Sequence, residues 1–344
     1  MPAIKHLELF DEFLESQVNL NSTRISTLEQ KVSVVESFLK GAGYDAKILK
    51  FAIQGSYAHK TIIKPPKTSN SFDADLVMYV RENKNWEPKH YINRLYRALK
   101  ESPHYSKMVS RNSRCVTLDY AGDFHLDIVP ITVRDYLFHS SSYRVCNRHE
   151  NSFEVTDGPG FDNWWSEQNE ILKKNQLIDV VRTLKYLRDI KTTFSCKSVL
   201  LTTLIGMQVN GDDEGGFSDT PTALRIVIGR LDDFLQENPK MPRIENPVLK
   251  DETFTRNWDQ KKYKNFRSQI NKYRIWVDDA FLEPDAYTSI IKWQKILGPG
   301  FAKSIDISNL EWMAEESVEA EDSRKGARAL LVAGAILGFI FAIK

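Results

Sequence analysis

Two aspartates separated by one residue, at the head of an apolar run and shortly after a Gly-Ser turn, constrain this chain more than any other feature. The stretch runs Gln54-Gly55-Ser56-Tyr57-Ala58-His59-Lys60-Thr61, crosses a loop rich in Lys and Pro, and resumes as Phe72-Asp73-Ala74-Asp75-Leu76-Val77-Met78-Tyr79-Val80. The first half reads as a turn entering a helix, the second as a strand. Side chains alternate along a strand, so Asp73 and Asp75 share one face while Ala74 and Leu76 take the other. Two carboxylates beside a turn with free backbone N–H groups suit a divalent cation and a chain of phosphates.

A third acid follows in a hairpin. Cys115 to Tyr120 alternates, Ala121-Gly122-Asp123 is a turn signal, and Phe124 to Ile131 reads as the return strand, containing His125-Leu126-Asp127-Ile128-Val129-Pro130. An aspartate between Leu126 and Ile128 is costly unless it is paired or coordinates something. With the two strands as neighbours, Asp73, Asp75 and Asp127 form a set able to hold two magnesium ions, with manganese as a substitute. Gly55 lets backbone approach a triphosphate and Ser56 adds a hydroxyl. Terminal phosphates need a further group, for which Lys185 and Ser198 are candidates. Taken singly, each signal has a plainer reading: a loop glycine, a solvated strand cap, a solvated helix lysine, and surface roles for His59 and His125.

The surrounding elements are consistent with a mixed α/β first half. Ile4 to Val18 reads as a short helix. Ser22 or Thr23 caps a longer one, with Ile25, Leu28, Val32, Val35 and Leu39 at helical spacing before Gly41 and Gly43. Ile48 to Ile53 reads as a strand and Pro88 to Lys100 as an amphipathic helix with Tyr91, Leu95 and Leu99 on one side. Arg134 to Gly160 is polar and turn-rich, the pattern of a connector. From Trp164 the character is helical: Gln168 to Asp189, Ser198 to Val209, a helix from Thr220 or Pro221 to Leu235, and Thr255 to Ala280. An acidic loop spans Asn210 to Ser218, and a Pro-rich extended crossing spans Asn238 to Asp251. The expected divisions are 1–165, a catalytic lobe with N-terminal helices; 166–310, a helical lobe; and 311–344, a tail.

A net charge of +1 gives no global basic field for a long nucleic acid. Cys115, Cys146 and Cys196 lack metal-site spacing and fit a reducing cytoplasm. The tail segment Ala329 to Ile343 is free of charge and flanked by Arg328 and Lys344. At about 1.5 Å per residue it covers about 22 Å, against about 30 Å of hydrocarbon. A membrane anchor with snorkelling basic ends and a docked C-terminal helix are both open readings.

Gly55-Ser56, the Asp73-Ala74-Asp75 strand and Asp127 resemble the DNA-polymerase-β-type nucleotidyltransferase superfamily. Within it the chain resembles the bacterial cGAS/DncV-like nucleotidyltransferases (CD-NTases, SMODS domain), over about Leu28 to Leu282. Gly55-Ser56-Tyr57-Ala58 through Thr61 resembles the family's GSxxxxT turn, and His125 to Pro130 its H-x-D-i-x-P strand. Asp157-Gly158-Pro159-Gly160 through Trp164-Trp165 stands at the place of its PkgY..W segment, without the clean pattern. Val180 to Arg188 resembles the helix whose lysine reaches the triphosphate, which is Lys185 here. Lys197-Ser198 and Ile244-Glu245-Asn246-Pro247 match further segments. His59-Lys60 departs from the more usual Arg-Gly.

The resemblance implies a bilobal fold, a mixed-sheet catalytic lobe with a helical C-terminal lobe. It implies metal ligation by Asp73, Asp75 and Asp127, and nucleotide binding by Gln54, Gly55, Ser56, Thr61, Lys185 and Ser198. The implied reaction joins nucleoside triphosphates into a cyclic di- or trinucleotide with release of pyrophosphate. The implied setting is CBASS-type anti-phage defence, with a separate effector that responds to the cyclic product and a monomeric synthase. The alternative is transfer to RNA 3′ ends or to a protein, for which the basic stripe Lys261, Lys262, Lys264 and Arg267 would be the acceptor face. A catalytically dead adaptor is disfavoured, because all three acids are present.

Overall fold

The structure is a computed structural model and describes residues 5–66, 71–136 and 139–305. The apolar segment Ala329 to Ile343 and the division 311–344 lie outside these residues. Among the described residues no helix is long and apolar enough to cross a membrane.

The chain opens with α1 (Leu7–Phe13), continued by a π-helical turn at Leu14–Val18 where one helix was expected. α2 (Ser22–Gly41) is capped by the Asn21 side chain, which accepts from Arg24 N at 2.8 Å, one residue earlier than the expected Ser or Thr cap. β1 (Ile48–Gln54) leads into the single turn α3 (Gly55–Ala58), and β2 (Phe72–Arg81) carries the two aspartates. α4 (Pro88–Lys100) spans the residues its periodicity predicted, with Pro88 in its first turn and a capping box between Glu87 and His90. β3 (Val109–Arg111), β4 (Val116–Tyr120) and β5 (Phe124–Tyr136) follow.

The region expected as a connector is the main difference. It holds the end of β5, then β6 (His139–Asn147) and β7 (Ser152–Thr156). The thirteen-residue β5 pairs with β4 along Phe124–Ile128 and with β6 farther on, from Ile131. These strands read as polar because each face buries few apolar residues: Tyr143 and Val145 pack beside Val77, Tyr79, Ile131 and Val133 on one face, while Cys146 and Phe153 pack with the α2 and α4 core on the other.

The sheet is mixed, in the order β1-β2-β5-β4-β3, and β2 and β5 are parallel. On one face, Ala74, Leu76, Met78, Leu126 and Ile128 are buried under the apolar sides of α2 and α4. Period-two alternation therefore places Asp73, Asp75 and Asp127 on the opposite face, which continues as Val77, Tyr79 and Ile131.

The helical half contains α5 (Gly158–Leu172), α6 (Gln176–Lys191), α7 (Ser198–Gly206), α8 (Thr220–Glu237), α9 (Gln260–Leu282) and α10 (Ala286–Leu297). The expected continuous run from Gln168 to Asp189 is interrupted: Lys173, Lys174 and Asn175 all have positive φ, which ends α5 and starts α6. The Asn238 to Asp251 crossing contains part of a small hairpin of β8 (Glu245–Asn246) and β9 (Leu249–Thr253). α9 begins later than expected, at the cap Asp259, and α10 had no clear signal. α1 packs here as well, with the Phe10 ring 4.9 Å from Trp293, so the chain's start belongs by packing to the helical core.

Candidate active site

The parallel register of β2 and β5 sets Asp75 beside Asp127 and Asp73 beside His125. Asp75 is pushed up to about 7 by burial first, then by the Asp127 and Asp73 charges, and only partly offset by Lys185. Asp127 accepts from Thr117 Oγ1, its register partner on β4. Asp73 Oδ1 lies 3.2 Å from His125 Nδ1. Asp75 packs over Gly55, where an added Cβ would come within 2.3 Å of Asp75 Oδ2.

Among the described residues no three His, Cys, Asp or Glu side chains form a ready ligand set for a metal. Each acid is turned to a separate neighbour. The chemistry still fits a hard divalent cation: the donors are carboxylate oxygens on one sheet face, and burial, then the like charges of Asp127 and Asp73, hold Asp75 toward its protonated form.

Facing the acids is the helical half. Gly55, Ser56, Thr61, Asp73, Asp75, Asp127, Lys185, Lys197 and Ser198 line one cleft of about 390 Å³, together with His59, Val199 and Thr202. Lys185, on the buried side of α6, is 2% exposed. Its Nζ donates to the carbonyl and the Oγ1 of Thr61, both at 3.0 Å. Burial, then the Arg188 charge, pulls this amine down to about 7. Ser198 Oγ accepts from Arg188 Nη1 at 3.3 Å. Thus Ser56, Thr61, Lys185 and Ser198 meet although α6 and α7 are more than a hundred residues downstream of the turn.

Gln54 does not line this cleft but an adjoining cavity that Gly55, His59 and Asp75 also line. Its amide packs against Gly158, where a Cβ would sit 1.6 Å from Gln54 Nε2, and it lines an adjoining cavity of about 170 Å³ with Asn246, Glu252 and Phe254. His59 is buried, its Nε2 2.6 Å from Asp162 Oδ1, while its carbonyl accepts from Trp165 Nε1 at 3.1 Å. That pair ties the turn after α3 to α5. Sequence reasoning did not single out Thr117, Arg188 or Arg114. Thr117 had a signal: the turn at Ala121-Gly122-Asp123 pairs Tyr120 with Phe124, and counting back pairs Thr117 with Asp127.

Residues 4–169 match the model of the Second Messenger Oligonucleotide or Dinucleotide Synthetase (SMODS) domain. A c-di-GMP synthase of Roseivirga ehrenbergii is 27% identical over 295 residues, covering 75% of this chain and 76% of that protein. These likenesses indicate a CD-NTase. Two solved structures share the fold. Escherichia coli MS115-1 CdnC, determined with ATP, superposes with a TM-score of 0.69 at 19% identity, over 87% of this chain and 99% of that one. Bradyrhizobium diazoefficiens CdnG, in complex with GTP, gives 0.67 at 16% identity, over 88% and 97%. The polymerase-β-like, mixed-sheet and helical architecture of the CD-NTases is therefore the fold of this chain.

Gly55 combines a positive φ of 69° with direct contact to Asp75. An L side chain there costs about 1–2 kcal/mol in backbone strain alone. Gly55→Ala should therefore lower the melting temperature and, by driving Asp75 off its position, reduce turnover at least about tenfold. Thermal melting and pyrophosphate release check this together; unchanged turnover would separate Gly55 from the site.

Proposed function

We propose that the protein condenses nucleoside triphosphates, releases pyrophosphate, and closes the product into a cyclic di- or trinucleotide. The observation that carries this reading is one cleft in which three carboxylates of the sheet face Ser56, Lys185 and Ser198. Asp73, Asp75 and Asp127 would hold magnesium, or manganese in its place. Bound there, such cations supply charge neutralisation for the leaving pyrophosphate and acidify the attacking hydroxyl.

The chain's own groups do the rest. Gly55 has no side chain to obstruct the phosphates of the nucleotide being transferred, and Ser56 offers its hydroxyl beside them. Lys185 approaches from α6 as the counter-charge. Its two contacts to Thr61 keep the amine aimed before any phosphate arrives, so little side-chain entropy is lost on binding. Ser198 stands next to Arg188 at the same end of the cleft. Asp127, oriented by Thr117, lies on the side from which the second nucleotide's hydroxyl would attack. The family resemblance extends the reading to anti-phage signalling through an effector that responds to the cyclic product.

Transfer to a polynucleotide fits less well. Lys262 is paired with Asp259, and Arg267 Nε and Nη2 donate to the carbonyls of Leu235 and Gln236, so the stripe on α9 is partly consumed internally. Incubation with the four triphosphates and magnesium, followed by phosphatase, tests the proposal. Pyrophosphate and a phosphatase-resistant small product are expected. Extension of RNA 3′ ends or labelling of a protein without that product would overturn it.

A further inference from the structure

The C-terminal end of α6 meets α9 and α10 in a cluster of amines. The Trp276 ring of α9 carries two of them, with Lys272 Nζ 4.5 Å and Lys295 Nζ 4.8 Å from its centroid. Lys191, the last residue of α6, donates from Nζ to the Lys295 carbonyl at 2.6 Å. Burial, then the charges of Lys272 and Lys295, lower the Lys191 amine. No carboxylate pairs with any of the three among the described residues. Other cations of α9 and α10 do have acids: Arg274 pairs with Asp232 and Asp233, and Lys292 with Asp279 and Glu283. Three positive charges gathered without a counter-charge repel one another, and an anionic partner removes that cost.

The chain carries such a partner a short way beyond α10. Glu311, Glu315, Glu316, Glu319, Glu321 and Asp322 place six acids within twelve residues that contain no Lys or Arg. This segment lies outside the described residues, which end at Ile305. Before that point the chain folds back along α10: Gln294 Nε2 donates to the Phe301 carbonyl at 2.9 Å, and the Phe301 ring lies 6.3 Å from that of Trp293. Glu311 is six residues past Ile305 and Glu319 fourteen, at most about 20 and 50 Å of extended chain. The twelve residues of α10 span only about 18 Å, so the acids reach Lys295 from where the described chain ends. Carried on the same polypeptide, they meet the lysines at a high effective concentration.

We propose that the segment Glu311 to Asp322 docks on the cluster of Lys191, Lys272 and Lys295. The contact neutralises the three amines and ties the chain beyond α10 to the end of the helix that carries Lys185.

Zero-length carbodiimide coupling of the full-length protein joins a carboxylate to an amine only where the two touch. Peptide mapping is expected to find amide links from Glu315, Glu316 or Glu319 to Lys272 or Lys295, falling about fivefold or more between about 50 mM and about 500 mM salt. In a mixture of isotope-labelled and unlabelled protein, each link should carry a single isotope, because the contact lies within one copy. Glu315→Gln, Glu316→Gln and Glu319→Gln together should lower the melting temperature of the wild type by about 1–3 °C. The same changes should leave a Lys272→Gln, Lys295→Gln variant unmoved. Both lysines are exposed, so their replacement does not threaten folding. Links confined to other lysines, or an equal fall in both backgrounds, would overturn the docking. Mixed-isotope links would overturn it in favour of a second copy. A labelled single-stranded oligonucleotide bound equally by the wild type and the glutamate variant would overturn it in favour of nucleic acid.

Discussion

Asp73→Asn combined with Asp75→Asn is expected to reduce pyrophosphate release by about a thousandfold or more, the equivalent of roughly 4 kcal/mol of transition-state stabilisation. The two carboxylates stand on one face of β2, and Asp75 is flanked by Asp127 across the parallel register. Amides of the same shape keep the packing but cannot carry the negative charge that a divalent cation requires. The fold should not suffer. Asp75 is strained by burial and by the charges of Asp127 and Asp73, so neutralising it relieves repulsion in metal-free buffer. The melting temperature without metal should hold or rise, and the stabilisation that added magnesium gives the wild type should disappear. A double variant that still consumes triphosphate would refute the metal assignment.

Lys185→Met should raise the KM for the transferred triphosphate about a hundredfold, because charge-assisted contacts to phosphate contribute roughly 1.5–3 kcal/mol. A proton measurement gives a second readout. With the amine at about 7 in the free protein, most molecules are neutral there at pH 8, and a bound triphosphate favours the ammonium. Binding at pH 8 should take up close to one proton and at pH 6 almost none. Apparent affinity should weaken as pH rises above 7. Calorimetry in buffers of different ionisation enthalpy measures this, and the uptake should vanish in the methionine variant. Uptake that persists in the variant would assign the proton elsewhere.

The same depression has a stability consequence of definite sign. Because the folded-state value lies below the unfolded one, the unfolded chain binds more protons between about pH 7 and the ordinary lysine range. Stability of the wild type at this site rises with pH across that window. The methionine variant, which lacks the buried charge, should compare most favourably with the wild type below pH 7.

Some of the site was legible because its causes are local. The alternation of Phe72 to Val80 separates Asp73 and Asp75 from Ala74 and Leu76, and the structure buries Ala74 and Leu76 under α2 and α4. The turn at Ala121-Gly122-Asp123 sets the hairpin register, which brings Thr117 onto Asp127. The periodicity of α4 gives its bounds. Where the signal was ambiguous, a neighbour decided. β6 and β7 look like a polar connector because each buries few apolar residues, and it is the pairing of β6 with the far half of β5, and of β7 with β6, that makes them strands. The break between α5 and α6 depends on three consecutive left-handed residues, none of them glycine, which composition does not announce.

The chain's own pattern therefore determined which acids share a face, because a strand's two-residue period is a property of neighbouring peptide units. Only the tertiary structure decided what faces them. Lys185 looks like any basic residue on an amphipathic helix until packing buries it against Thr61, 124 positions earlier, where its solvation is lost and its proton affinity falls. Gln54 adjoins Gly55 in the chain, and contact with Gly158 sets it in a neighbouring cavity that Gly55 and Asp75 also line. Arg114 and Arg256 come from separate loops and meet on Glu154 only when distant segments pack together. Such meetings depend on how distant segments pack, and no local period in the chain encodes them.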